Sequence, residues 1–278
     1  MRKAILIPLI IGGVLLTAGT VLFIVGLSAS NQSIEHVSKT YDLDDPFTNF
    51  DIRLETSNLE FKVSEDGKKK VVCEETSKYY HGVQVQDGTL KIASVDTRAW
   101  YEKFFDFNLY FMKTTVYLPA DNYGSLNVHS ATGDIVIPQN FVFTGLSAEL
   151  STGNITLQAD VQETLKAKSS TGRITIENVE AKNFDVSSST GDVMIRNSLA
   201  QEQMRVHTSV GDISIMDSDA STLDVEASTG DIYMALLSGK TFDVSTSTGR
   251  QQVPASTPGA GSCRVHTSTG NITIQVNN

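Results

Sequence analysis

Residues 188–195 read Ser-Ser-Thr-Gly-Asp-Val-Met-Ile, and variants of this phrase occur eight times between residues 126 and 274. The glycines at their centres are Gly133, Gly153, Gly172, Gly191, Gly211, Gly230, Gly249 and Gly270, spaced by 20, 19, 19, 20, 19, 19 and 21 residues. A period that tight marks a solenoid, in which each turn of chain stacks on the next. Seven residues before the glycines stand Leu126, Leu146, Leu165, Phe184, Met204, Leu223, Phe242 and Cys263; five before stands a Val or Ala, from Val128 to Val265. Apolar residues return two and four positions after, as in Ile135 and Ile137, with Gln251 the exception. Apolar residues two apart with polar ones between follow the strand period. The Ser-Thr-Gly between the two runs is turn chemistry, because glycine tolerates positive φ where the chain bends. One such rung has too small a core to fold alone and needs neighbours above and below. The expected fold is all-β: a single-stranded parallel β-helix with 19–21 residues per rung. It is expected to be right-handed, as parallel crossovers nearly always are.

Outward positions support in-register stacking. Six before the glycine, the third to eighth repeats carry Lys166, Asp185, Arg205, Asp224, Asp243 and Arg264, alternating in sign except at Asp224–Asp243. Opposite charges on stacked strands attract by a few tenths of a kcal/mol per pair.

The N-terminal region reads differently. After Met1-Arg2-Lys3, Ala4–Leu27 is uncharged and almost wholly apolar. As a helix its 24 residues reach about 36 Å, enough for a bilayer core of about 30 Å. A cleavable signal peptide has a shorter apolar region, so an uncleaved signal-anchor over 1–27 is the preferred reading, with cleavage near Ser28-Ala29-Ser30 as the minor one. Arg2 and Lys3 place the N-terminus in the cytoplasm and the rest of the chain outside the cell. Residues 28–46 read as a polar linker. Residues 47–124 read as an N-terminal β region of irregular first rungs that cap the stack, with strand-like runs at 50–54, 59–63, 83–85 and 90–92. Turns are expected at Thr56-Ser57-Asn58, Asp66-Gly67 and Asp87-Gly88. Residues 125–278 form the eight-repeat β-helix, and the chain is expected to end on an open C-terminal edge.

Residues 100–111 hold seven aromatics, Trp100, Tyr101, Phe104 and Phe105 among them. A plug for the N-terminal end of the stack is the preferred reading, since buried rings dominate core burial. The other is a contact patch for a membrane, a sugar or a protein partner.

Without Arg2 and Lys3 the chain carries 20 basic against 32 acidic side chains, a net of −12. That balance excludes nonspecific nucleic-acid binding. Cys73 and Cys263 both fall in strand patterns and read as small buried apolar residues, too far apart for a disulfide. The position after each glycine reads Asp134, Asn154, Arg173, Asp192, Asp212, Asp231, Arg250 and Asn271. Calcium-binding repeats need a shorter, double-glycine motif and no arginines there, so these residues are expected to cap their own turns. His129, His207 and His266 share the outward position four before the glycine and are expected three or four rungs apart, beyond mutual contact. No catalytic motif, metal set or cofactor site emerges, and the chain is not expected to be an enzyme.

Gly88-Thr89-Leu90-Lys91-Ile92, Val116-Tyr117-Leu118-Pro119 and the serial Ser-Thr-Gly-Asp-Ile turns resemble a bacterial β-strand-repeat family of unknown function, usually labelled as candidate adhesins. The resemblance covers roughly residues 48–276. It implies a surface-exposed β-solenoid, sometimes associated with envelope-stress regulation, and supplies no catalytic residues. This chain departs at Val210, which replaces the turn threonine, and at Gln251, beside the insertion Pro254–Gly261. The functional expectation is a membrane-anchored extracellular binding or scaffold protein. Its partner would be an envelope polymer or another surface or membrane protein. Glycan processing and envelope sensing through a membrane partner are the alternatives.

Overall fold

The computed structural model describes residues 37–98 and 112–277. All regular structure among them is strand. The N-terminal region holds β1 (Val37–Asp42), β2 (Asn49–Val63), β3 (Lys70–Glu75), β4 (Tyr79–Gln86), β5 (Thr89–Asp96) and β6 (Met112–Leu118). The repeats follow as β7 (Asn122–Thr132), β8 (Ile135–Ile137), β9 (Val142–Thr152), β10 (Ile155–Leu157), β11 (Asp160–Thr171), β12 (Ile174–Glu177), β13 (Glu180–Thr190) and β14 (Val193–Arg196). The last are β15 (Leu199–Val210), β16 (Ile213–Thr229), β17 (Ile232–Leu236), β18 (Thr241–Thr248), β19 (Gln251–Gln252), β20 (Ser262–Thr269) and β21 (Ile272–Val276).

Each repeat gives a long strand before its glycine and a short one after it. The long strands stack in parallel register as one ladder and the short ones as a second, with Leu165 over Leu146 and Ile174 over Ile155. Strands β2 and β16 each run through both ladders. The apolar columns read from the sequence are the core: Leu126, Val128, Ile135 and Ile137 are all fully buried. Each rung also buries residues before a register shift, such as Val161, Ala181, Ala200 and Ala220. The extra residue of such a bulge resets the alternation, which hid these positions from a simple two-residue period. A second bend per rung places Asn140, Asn178, Asn197 and Asp217 at positive φ, where Asn and Asp are tolerated best among side-chain-bearing residues.

The glycine corner leaves no room for a side chain. Gly191 has φ 140°, and a Cβ built there collides with the carbonyl of Gly172 one rung away. Backbone of successive rungs touches at this corner, so the repeat needs glycine for both conformation and closeness.

Four features differ from the sequence reading. Thr56-Ser57-Asn58 is no turn between separate strands, because β2 runs unbroken from Asn49 to Val63 and stacks in register on β7 and β8. Phe50, Ile52, Leu59 and Phe61 occupy the apolar columns with Ser57 at the glycine position, so β2 is a further rung. Val37–Asp42, read as polar linker, forms β1, antiparallel to β3. The Asp66-Gly67 turn closes no hairpin, because β6 lies between β2 and β3. Asp87-Gly88 does close one, joining β4 to β5 with φ of 50° and 70°, the signature of a tight hairpin turn.

The fourth difference concerns the C-terminal end. The eighth repeat inserts beneath the seventh: β20 lies between β16 and β18, and β21 between β17 and β19. The outermost rung is therefore β18–β19, and the chain's last strand is not an edge. Gln251 is exposed there, which explains its place in an apolar column. Residues 254–261 are the return crossover. The segment that skips a level is held by Lys240, whose ammonium lies 2.6 Å from Asp219 and 2.7 Å from Ser238, both charged side chains being largely buried. The swapped order also removes the irregularity in the charge column. In space it runs Lys166, Asp185, Arg205, Asp224, Arg264, Asp243, alternating throughout.

At the opposite end the core widens into rings. Phe50 meets Phe47, Phe61, Tyr123 and Phe143 at centroid distances of 5.5–6.0 Å, in edge-on geometries. Trp100, Tyr101, Phe104 and Phe105 lie outside the described residues, as does the apolar stretch Ala4–Leu27. Among the described residues no helix is long and apolar enough to cross a membrane.

Candidate functional site

Outward residues of the long-strand ladder line up in columns because every strand pairs in register. Four before the glycine, the column runs Arg53, His129, Glu149, Lys168, Ser187, His207, Glu226, His266, Ser245 across nine strands. Two residues on stand small side chains, among them Ala131, Ser151 and Ser170. A large residue beside a small one, repeated on three strands and bounded by Arg53 on a fourth, leaves a trough. An open groove of about 550 Å³ lies here, lined by Arg53, His129, Glu149, Lys168 and those small residues. A second of about 480 Å³ adjoins it, sharing Arg53 and His129 and reaching Asn49, Asp51 and Asn127.

Charges in the groove are organised around Glu149. Its carboxylate accepts from Lys166 Nζ at 2.7 Å, and His129 Nδ1 lies 3.4 Å away. The Lys166 hydrogen bond, then the fields of Lys166, His129 and Lys168, hold its carboxyl below the ordinary range. Arg53 is fixed by its own strand, donating from Nε and Nη2 to the two oxygens of Asp51 at 3.0 and 3.2 Å. The result is a locally cationic trough on an acidic protein. Glu149 is the one carboxylate lining the first groove, and its partners keep it ionised. A pair of carboxylates with separated pKa values, as glycoside hydrolysis needs, is not assembled there.

Two expectations about outward residues change. His207 and His266 are not three or four rungs apart, because the swapped order places both next to Glu226. His207 Nδ1 lies 3.7 Å from Glu226, and His266 Nδ1 pairs with Ser245 Oγ at 2.9 Å. The Asp and Asn residues after the glycines do not cap their own turns. Each side chain accepts the backbone amide of the next rung: Asp134 N–H donates to Asn58 Oδ1, Asn154 to Asp134, Arg173 to Asn154, and Asp231 to Asp212, all at 2.8–3.0 Å. Arg250 stands on the outermost rung, where no further amide needs an acceptor, and its own amide donates to Asn271. Oxygens so engaged are a hydrogen-bond ladder rather than a calcium cage.

The eight turn glycines named from the sequence all sit at the corner with φ of 126–152° and carry no chemistry. Both cysteines are free and buried, as expected. The groove residues were not singled out from the sequence. The recurring outward position of His129 was visible, but Arg53 joins that column through a rung lacking glycine. Among the described residues, the group able to converge on a metal ion is Cys73, Glu75 and His81, in a buried corner near the N-terminal end.

The comparisons with known proteins follow the fold. No curated protein matches the chain. It is similar to a crystal structure named as a candidate lipid-binding protein from Parabacteroides distasonis ATCC 8503, at 16% identity over 87% of this chain and 97% of that one, with a TM-score of 0.53. A crystal structure named as a candidate adhesin from Bacteroides fragilis NCTC 9343 matches at 18% identity over 86% of this chain and 97% of that one, with a TM-score of 0.49. Identities this low speak for the fold alone. Residues 47–275 match the Toastrack DUF4097 family from β2 to β21, and the chain belongs to it.

Proposed function

We propose that this chain is a non-catalytic binding or scaffold protein of the bacterial cell envelope, built as a right-handed, single-stranded parallel β-helix. The apolar stretch Ala4–Leu27 anchors it in the membrane, with Arg2 and Lys3 in the cytoplasm and the strands outside. The observation that carries this reading is the groove over Arg53, His129, Glu149 and Lys168, set on a rigid ladder at the N-terminal end of the stack. Its cationic character on a chain of net charge −10 favours an anionic partner, such as an acidic envelope polymer or an acidic face of another surface protein. The names of the structural relatives, candidate adhesin and candidate lipid-binding protein, are compatible with a binding role.

A glycan-processing enzyme is the second reading, because three or more charged side chains do converge in the groove. The state of Glu149 weighs against it, since a carboxylate held ionised by Lys166 is a poor proton donor. Saturable binding of the full chain to acidic cell-wall fractions, with product release followed in the same samples, separates the two readings. Binding without release supports the binding role, and release of fragments supports the enzyme.

A further inference from the structure

Strands β3 and β4 belong to opposite ladders, and the corner at residues 76–78 folds one against the other. Cys73 and Glu75 lie two apart on β3 and so face the same way, into the interior. His81 comes in from β4. All three are buried, and one donor atom from each lies within 4.8 Å of the other two.

Around them, Ser57 Oγ lies 3.0 Å from the Met112 carbonyl and 2.9 Å from Thr114 Oγ1, which in turn lies 3.2 Å from His81 Nε2. His81 Nδ1, on the other side of the buried ring, has no hydrogen-bond partner and faces Glu75 Oε1 at 3.4 Å. Oε1 already accepts the Tyr41 hydroxyl at 2.7 Å and the His81 amide at 2.8 Å. Oε2 is left with Lys39 at 3.9 Å, whose side chain is more than half exposed. A buried imidazole nitrogen without a partner, set beside a carboxylate and a thiol, is a place where a cation completes the polar contacts.

We propose that Cys73 Sγ, Glu75 and His81 Nδ1 bind one Zn²⁺ ion. Thiolate, carboxylate and imidazole are donors that zinc takes. One thiolate and one carboxylate neutralise the dication, which permits burial. The outer shell is already in place: Tyr41 holds the carboxylate, and Thr114 holds the far nitrogen of the imidazole. Bond lengths of about 2.0–2.3 Å require donors about 3.3–3.8 Å apart, so the side chains close by about 1 Å. Three protein ligands leave a fourth position for water. Binding releases the thiol proton as the S–H bond gives way to S–Zn.

The test titrates the full chain, held in detergent, first with Co²⁺ and then with Zn²⁺. One equivalent of cobalt is expected to give a thiolate-to-cobalt charge-transfer band that zinc abolishes. Cys73→Ser removes the band, His81→Gln weakens cobalt binding at least about tenfold, and Cys263→Ser leaves the band intact. Since Cys73→Ser removes a core side chain and can unfold, thiol alkylation of the unmutated chain under mild denaturant is read in parallel. Zinc is expected to protect Cys73 and not Cys263. Absence of the band with no zinc-dependent protection of Cys73 overturns the proposal. So does a band that survives in folded Cys73→Ser, or equal protection of both cysteines.

Discussion

Arg264 lies directly between Asp224 and Asp243 in the ladder, although Asp243 follows Asp224 by one repeat in sequence. The last two repeats thus stack in reverse order, which turns the one like-charge clash in the column into two attractive pairs. Parallel strands stand about 4.8 Å apart, within disulfide reach, whereas strands two apart are about 9.6 Å apart and beyond it. Cysteines at 224 and 264 are therefore expected to crosslink on mild oxidation, and cysteines at 224 and 243 are not. Mass mapping of the linked peptides reads the answer, and a 224–243 bond would mean the repeats stack in chain order.

The reversal depends on Lys240. Its ammonium is held by Asp219 and Ser238 with little access to solvent. Removing one partner of a buried pair leaves the other charge uncompensated, at a cost of roughly 3–5 kcal/mol. Lys240→Ala is expected to lower the unfolding free energy, read from urea denaturation, by that amount. An effect below about 1 kcal/mol would show that the crossover needs no such clasp.

Glycine is required where successive rungs touch at the corner and is dispensable at Gly145. Gly191→Ala places a Cβ against the Gly172 carbonyl at a φ of 140°, and a loss on the order of 1–3 kcal/mol or more is expected. Gly145, in β9, has open space around its Cβ position, so Gly145→Ala is expected to be neutral or slightly stabilising. Equal thermal shifts for the two variants would remove the close-contact argument.

Much of this was legible in the repeat itself. The columns through Leu126, Val128, Ile135 and Ile137 follow from a period-two pattern punctuated by glycine, and they are the core. What escaped the reading escaped for identifiable reasons. The rung on β2 carries Ser57 where the others carry glycine, so its corner looked like a break between strands. The reversed order of β18 and β20 is set by the crossover at 254–261, and its single trace in the sequence was the misplaced sign at Asp224–Asp243. The groove needs Arg53 from that disguised rung. Cys73, Glu75 and His81 meet because a corner folds β3 against β4, and no spacing rule announces that encounter.

The Glu149–Lys166 pair gives a pH dependence with a definite sign. The folded carboxyl titrates below its ordinary value of 4.5, so the pair stabilises the fold above that pH. The contribution is lost as pH falls through the lowered folded value. Being partly exposed, the pair contributes about 0.2–1 kcal/mol. Glu149→Gln is expected to be less stable than the native chain near neutrality by that margin, and the two are expected to converge on acidification. A gap that persists well below pH 4.5 would place the stabilisation elsewhere.

The trough over Arg53, His129, Glu149 and Lys168 is proposed to bind its partner without turning it over. The direct measurement compares the full chain with an Arg53→Glu, Lys168→Glu variant for binding to acidic cell-wall polymer, with soluble fragments assayed in the same tubes. The account predicts saturable binding by the native chain, weakening at least about tenfold in the variant and more strongly at low salt than at high salt, with no fragments released. Fragment release by the native chain, or binding indifferent to both charge reversals, would contradict it.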